Sequence, residues 1–126
     1  MFKILIIGAG GFIGAIGRYL ISGLVHNIFK TNYPLGTFAV NIIGCFLIGV
    51  VMYLVQNNQM FSPNSRLFLT IGILGAFTTF STFGYETLVL LMSSEYKFAC
   101  LNIFANVIIG LLAVWGGYIM FRIIKA

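Results

Sequence analysis

Four apolar runs, each long enough to cross a lipid bilayer, make up most of this chain. They cover about residues 2 to 25, 35 to 56, 67 to 92 and 98 to 123, and a helix needs about 20 apolar residues to span the hydrocarbon core. The segments between the runs are short and polar and contain both prolines, which is typical of solvent-exposed turns. The sequence therefore predicts an all-α integral membrane protein, with one four-helix transmembrane domain over residues 1–126.

The small number of charged side chains excludes a soluble fold. Of the 126 residues, 60% are hydrophobic and 7% are charged, whereas a soluble domain carries about 25% charged residues. The seven Lys and Arg residues are scattered and form no basic stripe that would bind nucleic acid. The first run continues through Gly14 and Arg18 without a cleavage site, so we interpret it as a span rather than a signal peptide. A short chain without a targeting segment favours the inner membrane of a bacterium.

The positive charges give only a weak instruction for orientation. An even number of spans places both termini on one side, and the Lys and Arg residues near the loops normally set which side that is. The terminal side has Lys3, Arg66, Arg122 and Lys125, and the opposite side has Lys30, Lys97 and Arg18. Because four positive charges against three are hardly a bias, we hypothesise that the chain inserts both ways and forms an antiparallel homodimer, with a two-fold axis in the membrane plane.

A glycine-rich segment in the first run looks like a nucleotide-binding turn but lacks its context. Gly8, Gly11 and Gly14 have a suitable spacing. A dinucleotide fold, however, also needs alternating strands and helices and an acidic residue about 20 positions on, where this chain reads NIFKTN. Packing explains the segment better, because Gly10 and Gly14 form a pair of small residues that allows another helix to approach closely.

The third run contains a dense hydroxyl cluster, GAFTTFSTFGYE, from Gly75 to Glu86. Ser and Thr offer the backbone competing hydrogen bonds, so we predict an interruption of the helix between about Gly75 and Thr79, near the middle of the span. Irregular backbone at that depth must be buried in protein or line a cavity. In an antiparallel pair, the freed carbonyl oxygens would converge on the two-fold axis. They would suit Na⁺ better than a divalent ion, because no carboxylate is present.

Phe80, Phe83 and Glu86 recur every three residues and so share one helix face after the predicted interruption. Aromatic stripes are most often core packing, but this one lies among hydroxyl groups. The edge of an aromatic ring is positive, so phenylalanine edges can hold a small anion loosely enough to let it leave again. The stripe therefore predicts a route for a small anion.

Polar side chains inside the other apolar runs are also informative, because each is costly in lipid and must face protein, water or a ligand. The main examples, together with Glu86, are Arg18, Asn41, Asn102 and Asn106. For each Asn, a hydrogen bond between helices is the alternative to a functional role. For Glu86, the alternative is an internal pair with a neighbouring helix.

Along essentially its whole length, the chain resembles the Fluc-type (CrcB) fluoride channels. The resemblance rests on the third-run motif and on three further features, which are Gly14 to Arg18, GTFAVNIIG from Gly36 to Gly44, and Asn106 with Gly110. It implies a dual-topology homodimer with two fluoride pathways and a structural Na⁺ at its centre. It also implies passive export of fluoride that entered the cell as the weak acid HF.

The resemblance further implies roles for individual residues. The implied fluoride pathway consists of Phe80, Phe83, Asn41, Ser81 and Thr82. Arg18 is implied to gather anions at the vestibule, and the backbone carbonyls of Gly75 and Thr78 are implied to bind the sodium ion. A carboxylate beside an anion path needs a partner or a proton. The remaining polar positions, expected to face the pore or to pack, are Glu86, Asn102 and Asn106.

Other functions fit the sequence less well. A small dual-topology multidrug or cation efflux transporter is also short and four-spanning, but it should carry a membrane-embedded Glu in its first span, where this chain has Arg18. A non-conducting assembly subunit leaves the cluster of hydroxyl and phenylalanine side chains unexplained. An enzyme is not expected, because no His, Cys or Ser lies beside a plausible base and His26 falls in a predicted loop.

Overall fold

The computed structural model describes residues 1–31, 33–58 and 61–124, and within these ranges all regular structure is helical. In this part of the chain, four helices are long and apolar enough to cross a membrane. We call them the first to fourth spans, and they are Phe2–Phe29, Leu35–Gln56, Pro63–Met92 and Tyr96–Ile124. The predicted all-α class with four membrane-spanning helices is thus confirmed. Lys125, used above in the orientation argument, lies outside the described residues.

Two helix boundaries differ from the predicted ones. The first helix continues to Phe29, so the expectation that His26 falls in a loop is wrong, and His26 lies in the last helical turn. The helix ends at Lys30, which has the left-handed conformation with φ 45° and ψ 41°. The third span begins at Pro63, earlier than predicted, because the Ser62 side chain caps the helix by accepting a hydrogen bond from the Ser65 amide.

The third span is bent by an interruption near its middle, as the sequence predicts. The helix ends at Phe77, and the backbone is extended at Thr78 (φ −79°, ψ 157°) and Thr79 (φ −150°, ψ 111°). A new helix, Phe80–Met92, begins directly afterwards. We call Thr78 and Thr79 the extended pair.

The interruption is shorter than the predicted range, because Gly75–Phe77 is still helical. The hydroxyl groups rather than the glycines start the break. Thr79 caps the second helix, and its Oγ1 accepts a hydrogen bond from the Thr82 amide at 3.2 Å. A threonine side chain thus takes the amide that an unbroken helix would give to a backbone carbonyl.

Two stretches of wide, π-helical turns were not predicted. They are Leu67–Leu74 in the third span and Ala105–Ile109 in the fourth. Near each, a side chain bonds back to a carbonyl four residues earlier. Thr70 Oγ1 donates to the Arg66 carbonyl at 2.7 Å, and Asn106 Nδ2 donates to the Asn102 carbonyl at 3.0 Å. Such competition for helix carbonyls accompanies local changes in winding.

The first span packs closely on the part of the third span that precedes the interruption. A β-carbon at Gly10 would lie 2.6 Å from the Phe68 carbonyl oxygen and 2.9 Å from the Gly72 α-carbon, and one at Gly14 would overlap the Ile73 backbone. The predicted close approach at Gly10 and Gly14 is therefore confirmed. Backbone contacts of this kind replace the hydrophobic driving force that is missing between helices in lipid.

The second span lies at the centre of the packing. It contacts the first span on one side and the Gly110–Ile124 segment of the fourth span on the other, and it also reaches the interrupted third span. Few side chains are fully buried, and large apolar side chains such as Phe12, Leu20 and Trp115 are more than half exposed. This exposure is expected where the solvent is lipid. The central position of the second span places its Asn41 beside the extended pair.

Candidate functional site

The amide side chain of Asn41 holds the extended pair in place. Its Oδ1 accepts a hydrogen bond from the Thr79 amide at 2.9 Å, and its Nδ2 donates to the Thr79 carbonyl at 3.3 Å. Both polar backbone groups of Thr79, whose side chain is buried, are thus satisfied by one residue of the second span. Because an unpaired backbone group at this depth is costly, the break depends on the hydrogen bonds that Asn41 makes.

Two carbonyl groups at the break have lost the amides that would bond to them in an unbroken helix. In an unbroken helix the Thr79 amide would bond to the Gly75 carbonyl, but here it donates to Asn41. The Thr82 amide would likewise bond to the Thr78 carbonyl, but it donates to the Thr79 hydroxyl. The released carbonyls belong to the two residues that the resemblance implies as sodium ligands.

An open cavity of about 360 Å³ adjoins the break on one side, and we call it the mid-span cavity. Its lining combines the polar residues of the break with aromatic rings, and the predicted site residues in it are Asn41, Gly75, Thr78, Phe80, Phe83 and Asn106. The Phe80 and Phe83 ring centroids lie 5.4 Å apart at an interplanar angle of 55°. Phe83 is buried, whereas Phe80 is 82% exposed and is not covered by the other spans of its own chain.

A second open cavity, of about 490 Å³, lies on the other side of the break, and we call it the vestibule. It is lined by three predicted residues, Arg18, Thr82 and Glu86, and also by Thr37 and Tyr33. Burial raises the pKa of the Tyr33 hydroxyl above its ordinary value. The vestibule lining thus contains a guanidinium group, a carboxyl group and several hydroxyl groups.

Glu86 is paired within the chain. Thr37 Oγ1, in the second span, donates a hydrogen bond to Glu86 Oε1 at 2.6 Å. The other carboxylate oxygen, Oε2, is buried and has no hydrogen-bond partner among the described residues. The internal pair that the sequence left as an alternative for Glu86 is therefore present, and its partner is a hydroxyl group rather than a cation.

Thr79 lines both cavities. The stripe predicted from Phe80, Phe83 and Glu86 is accordingly divided, because the two rings line the mid-span cavity while Glu86 lines the vestibule. Ser81 lies apart from both linings. It is exposed, and its hydroxyl oxygen is 3.3 Å from Thr79 Oγ1.

The fourth span contributes two asparagines with different surroundings. Asn106 lines the mid-span cavity, and its Oδ1 accepts a hydrogen bond from Asn41 Nδ2 at 3.1 Å. Asn102 is 1% exposed and lines neither cavity, so of the two roles expected for it the structure favours packing.

Sequence reasoning missed two threonines, Thr37 and Thr87. Thr37 pairs with Glu86, and Thr87 Oγ1 accepts a hydrogen bond from Asn102 Nδ2 at 2.9 Å. Both hydroxyls occur inside apolar runs, which was the available signal. A hydroxyl is easily dismissed there, because it can bond to the carbonyl of the preceding turn.

The fold and the two cavities define a small four-span membrane protein, in which an interrupted third helix lies between a polar, aromatic cavity and a vestibule lined by Arg18 and Glu86. Residues 5–118 match the family model described as CrcB-like protein, Camphor Resistance (CrcB). The chain belongs to this CrcB family. The family resemblance inferred from the sequence motifs is thus confirmed.

Several relatives are similar to this chain over nearly its full length. Fluoride-specific ion channel FluC 1 of Methanosarcina acetivorans is 53% identical over 119 residues, which cover 94% of this chain and 90% of the relative. Fluoride-specific ion channel FluC 3 of Methanosarcina barkeri is 47% identical over 117 residues, covering 93% and 88%. Fluoride-specific ion channel FluC of Campylobacter jejuni (strain RM1221) is 46% identical over 119 residues, covering 94% and 97%.

Proposed function

We propose that this chain is a fluoride channel of the cytoplasmic membrane, which lets fluoride that entered the cell as HF flow out passively. The observation that carries the proposal is the extended pair, held by Asn41 between a cavity with two phenylalanines and a vestibule with Arg18. The names of the relatives support fluoride as the ion. Passive flow needs neither catalytic groups nor the coupling carboxylate of a drug transporter.

The proposed pathway runs from the vestibule past Thr82 and Thr79 into the mid-span cavity. Arg18 raises the local concentration of anions at the entrance. Further in, the Asn41 amide and the edges of Phe80 and Phe83 replace the water around fluoride. Ser81 completes the polar track from its position beside Thr79. Ring edges bind the ion weakly enough for it to leave, as conduction requires.

We also propose that Na⁺ is a structural ion at the break. The supporting observation is that the Gly75 and Thr78 carbonyls have lost their helical donors to Asn41 and Thr79. Carbonyl oxygens suit a hard cation. The described residues contain no group of three or more His, Cys, Asp or Glu that would favour a transition metal. The ion would supply positive charge beside an anion route.

Sodium is tested on the purified protein. We expect the midpoint of thermal unfolding to be higher in NaCl than in equal concentrations of KCl or N-methylglucamine chloride, because bound Na⁺ stabilises only the folded state. Identical midpoints in the three salts would contradict the sodium site.

The proposed assembly is an antiparallel homodimer. Phe80, a pathway residue, is 82% exposed in the single chain, and an inverted second copy packed at the break would cover it. The weak charge bias between the two sides permits both insertions. A reporter fused to the C-terminus should appear on both sides of the membrane, and detection on one side only would count against the antiparallel pair.

The function itself is tested by reconstituting purified protein into liposomes loaded with potassium fluoride or potassium chloride, with a potassium ionophore to balance charge. We expect rapid fluoride efflux and far slower chloride efflux, because fluoride loses its water at a much greater cost and only a specialised path compensates for this. Equal rates for both ions would indicate a generic anion pore, and no efflux of either ion would refute channel activity.

A further inference from the structure

A chain of hydrogen bonds leaves the third span, passes through the second and fourth spans, and returns to the third. We call it the amide relay, and its members in order are Thr79, Asn41, Asn106, Asn102, Thr87 and Phe83. It begins where the Thr79 amide donates to Asn41 Oδ1 at 2.9 Å and ends where Thr87 Oγ1 donates to the Phe83 carbonyl at 2.8 Å. The relay thus links the break to the first helical turn after it.

Three bonds between side chains connect these ends. Asn41 Nδ2 donates to Asn106 Oδ1 at 3.1 Å, and Asn106 Nδ2 donates to Asn102 Oδ1 at 3.0 Å. Asn102 Nδ2 then donates to Thr87 Oγ1 at 2.9 Å. Every amide in the relay donates from its nitrogen and accepts at its oxygen, so all bonds run in one direction.

The backbone fixes this direction at both ends. The Thr79 amide can only donate, so Asn41 must present its oxygen to Thr79 and its nitrogen to the fourth span. The Phe83 carbonyl can only accept, so the Thr87 hydroxyl must give its proton to Phe83 and accept from Asn102. Reversing any one amide would therefore leave two neighbouring groups facing each other with the same polarity.

Two members of the relay are buried away from both cavities. Asn102 is 1% exposed and Thr87 is 7% exposed, and neither lines the mid-span cavity or the vestibule. Water cannot replace a lost partner there, so the relay holds its orientation firmly. Asn41 is at the other end, where its remaining N–H makes the longer 3.3 Å bond to the Thr79 carbonyl. That bond is the weakest of those that Asn41 makes, so it is the one with which an anion competes.

We propose that Asn102 and Thr87 are positioning residues that set the preference for fluoride over chloride without touching the ion. The inference rests on the fluoride pathway proposed above. With the relay intact, the Asn41 N–H that makes the 3.3 Å bond to the Thr79 carbonyl stays in place beside the mid-span cavity, where an anion can compete for it, and the backbone that carries the Phe83 ring is fixed. Without it, Asn41 stays bonded to Thr79, but Asn106, and through it the Asn41 N–H, is held less firmly. Fluoride then loses more than chloride, because its greater cost of dehydration needs donors that are already in place.

The test compares variants of Thr87 and Asn102. Thr87→Val keeps the side-chain shape and removes the hydroxyl, Thr87→Ser keeps the hydroxyl, and Asn102→Ala removes the amide while Asn106 retains its bond to the Asn102 carbonyl. The control is Tyr118→Phe, which deletes a 3.3 Å hydrogen bond from the fourth span to Gln56 in the second, outside the relay. Fluoride and chloride efflux from liposomes is measured for protein that elutes as one symmetric peak in gel filtration.

We expect Thr87→Val and Asn102→Ala to lower the ratio of fluoride to chloride efflux about tenfold, the effect of losing one well-placed hydrogen bond. Thr87→Ser should stay within about twofold of the wild type, as should Tyr118→Phe, because neither opens the relay. An unchanged ratio in folded Thr87→Val or Asn102→Ala, including an equal loss of both fluxes, would overturn the proposal. A wild-type protein that does not prefer fluoride would instead refute the proposed function.

Discussion

Gly44 of the second span lies so close to Thr78 of the extended pair that a β-carbon at Gly44 would overlap the Thr78 methyl group. The same β-carbon would lie 3.7 Å from the Thr78 β-carbon, which is an ordinary contact. The methyl group of Thr78 therefore occupies the space that the missing side chain of Gly44 leaves free. This contact limits how closely the second span approaches Thr78, whose backbone carbonyl we propose as a sodium ligand.

Gly44→Ala should lower fluoride efflux strongly, because the added methyl group displaces the extended pair. The double variant Gly44→Ala/Thr78→Ser should recover most of the lost efflux, since serine lacks the methyl group that would be overlapped. Efflux from liposomes measures both. Wild-type efflux in Gly44→Ala, or a double variant as impaired as the single one, would show that this contact does not control the pathway.

Phe80→Ile and Phe83→Ile should act alike on transport. Phe83→Ile should in addition cost about 1–3 kcal/mol of stability, because it changes the shape of a buried side chain. Both should cut fluoride efflux, since isoleucine offers no positive ring edge. Thermal unfolding and liposome efflux are measured on the same preparations. Wild-type efflux in both variants would refute the aromatic pathway.

The Thr37–Glu86 hydrogen bond should matter more for stability than the charge of Glu86. Thr37→Val removes the donor to a partly buried carboxylate and should cost about 1–3 kcal/mol. Glu86→Gln keeps an acceptor for Thr37 and should change the unfolding midpoint less. If Thr37→Val unfolds at the wild-type temperature, the hydrogen bond contributes nothing to folding.

Glu86→Gln should also raise fluoride efflux at low ionic strength. It removes a negative charge from a vestibule that Arg18 shares, and anions are then less repelled. The increase should fade at high salt, because mobile ions screen the charge. The measurement is liposome efflux in a series of potassium gluconate concentrations. A salt-independent difference, or slower efflux at low salt, would indicate that the charge of Glu86 does not act by repelling anions.

Gly14→Ala should reduce the stability of the bundle, whereas Gly8→Ala should not. The new methyl group at Gly14 would overlap the Ile73 backbone, which cannot move without shifting the third span, and overpacking of this kind costs about 1–3 kcal/mol. A β-carbon at Gly8, in the same helix, meets nothing within 4 Å. Thermal unfolding in detergent compares the two variants, and equal midpoints would contradict the packing described for the first and third spans.

Much of the architecture follows from local properties of the sequence. Long apolar runs with few charges predict spanning helices wherever lipid is the solvent, and the dense hydroxyls around Thr78 and Thr79 predict a break because they compete for backbone hydrogen bonds within a few residues. The exact extent of the break was less predictable. Gly75 remains helical because its amide still bonds to earlier carbonyls, those of Thr70 and Gly72.

The partners of the polar groups were decided only by the tertiary structure. The pairing of Thr37 with Glu86 joins residues 49 positions apart, and that of Asn41 with Asn106 joins residues 65 apart. Their contact depends on how the helices rotate and approach at glycines such as Gly44, and no local pattern encodes this. The sequence alone determined that polar groups inside the membrane must be satisfied, because unpaired ones are costly there. Which group satisfies which was determined by the packing of the four spans.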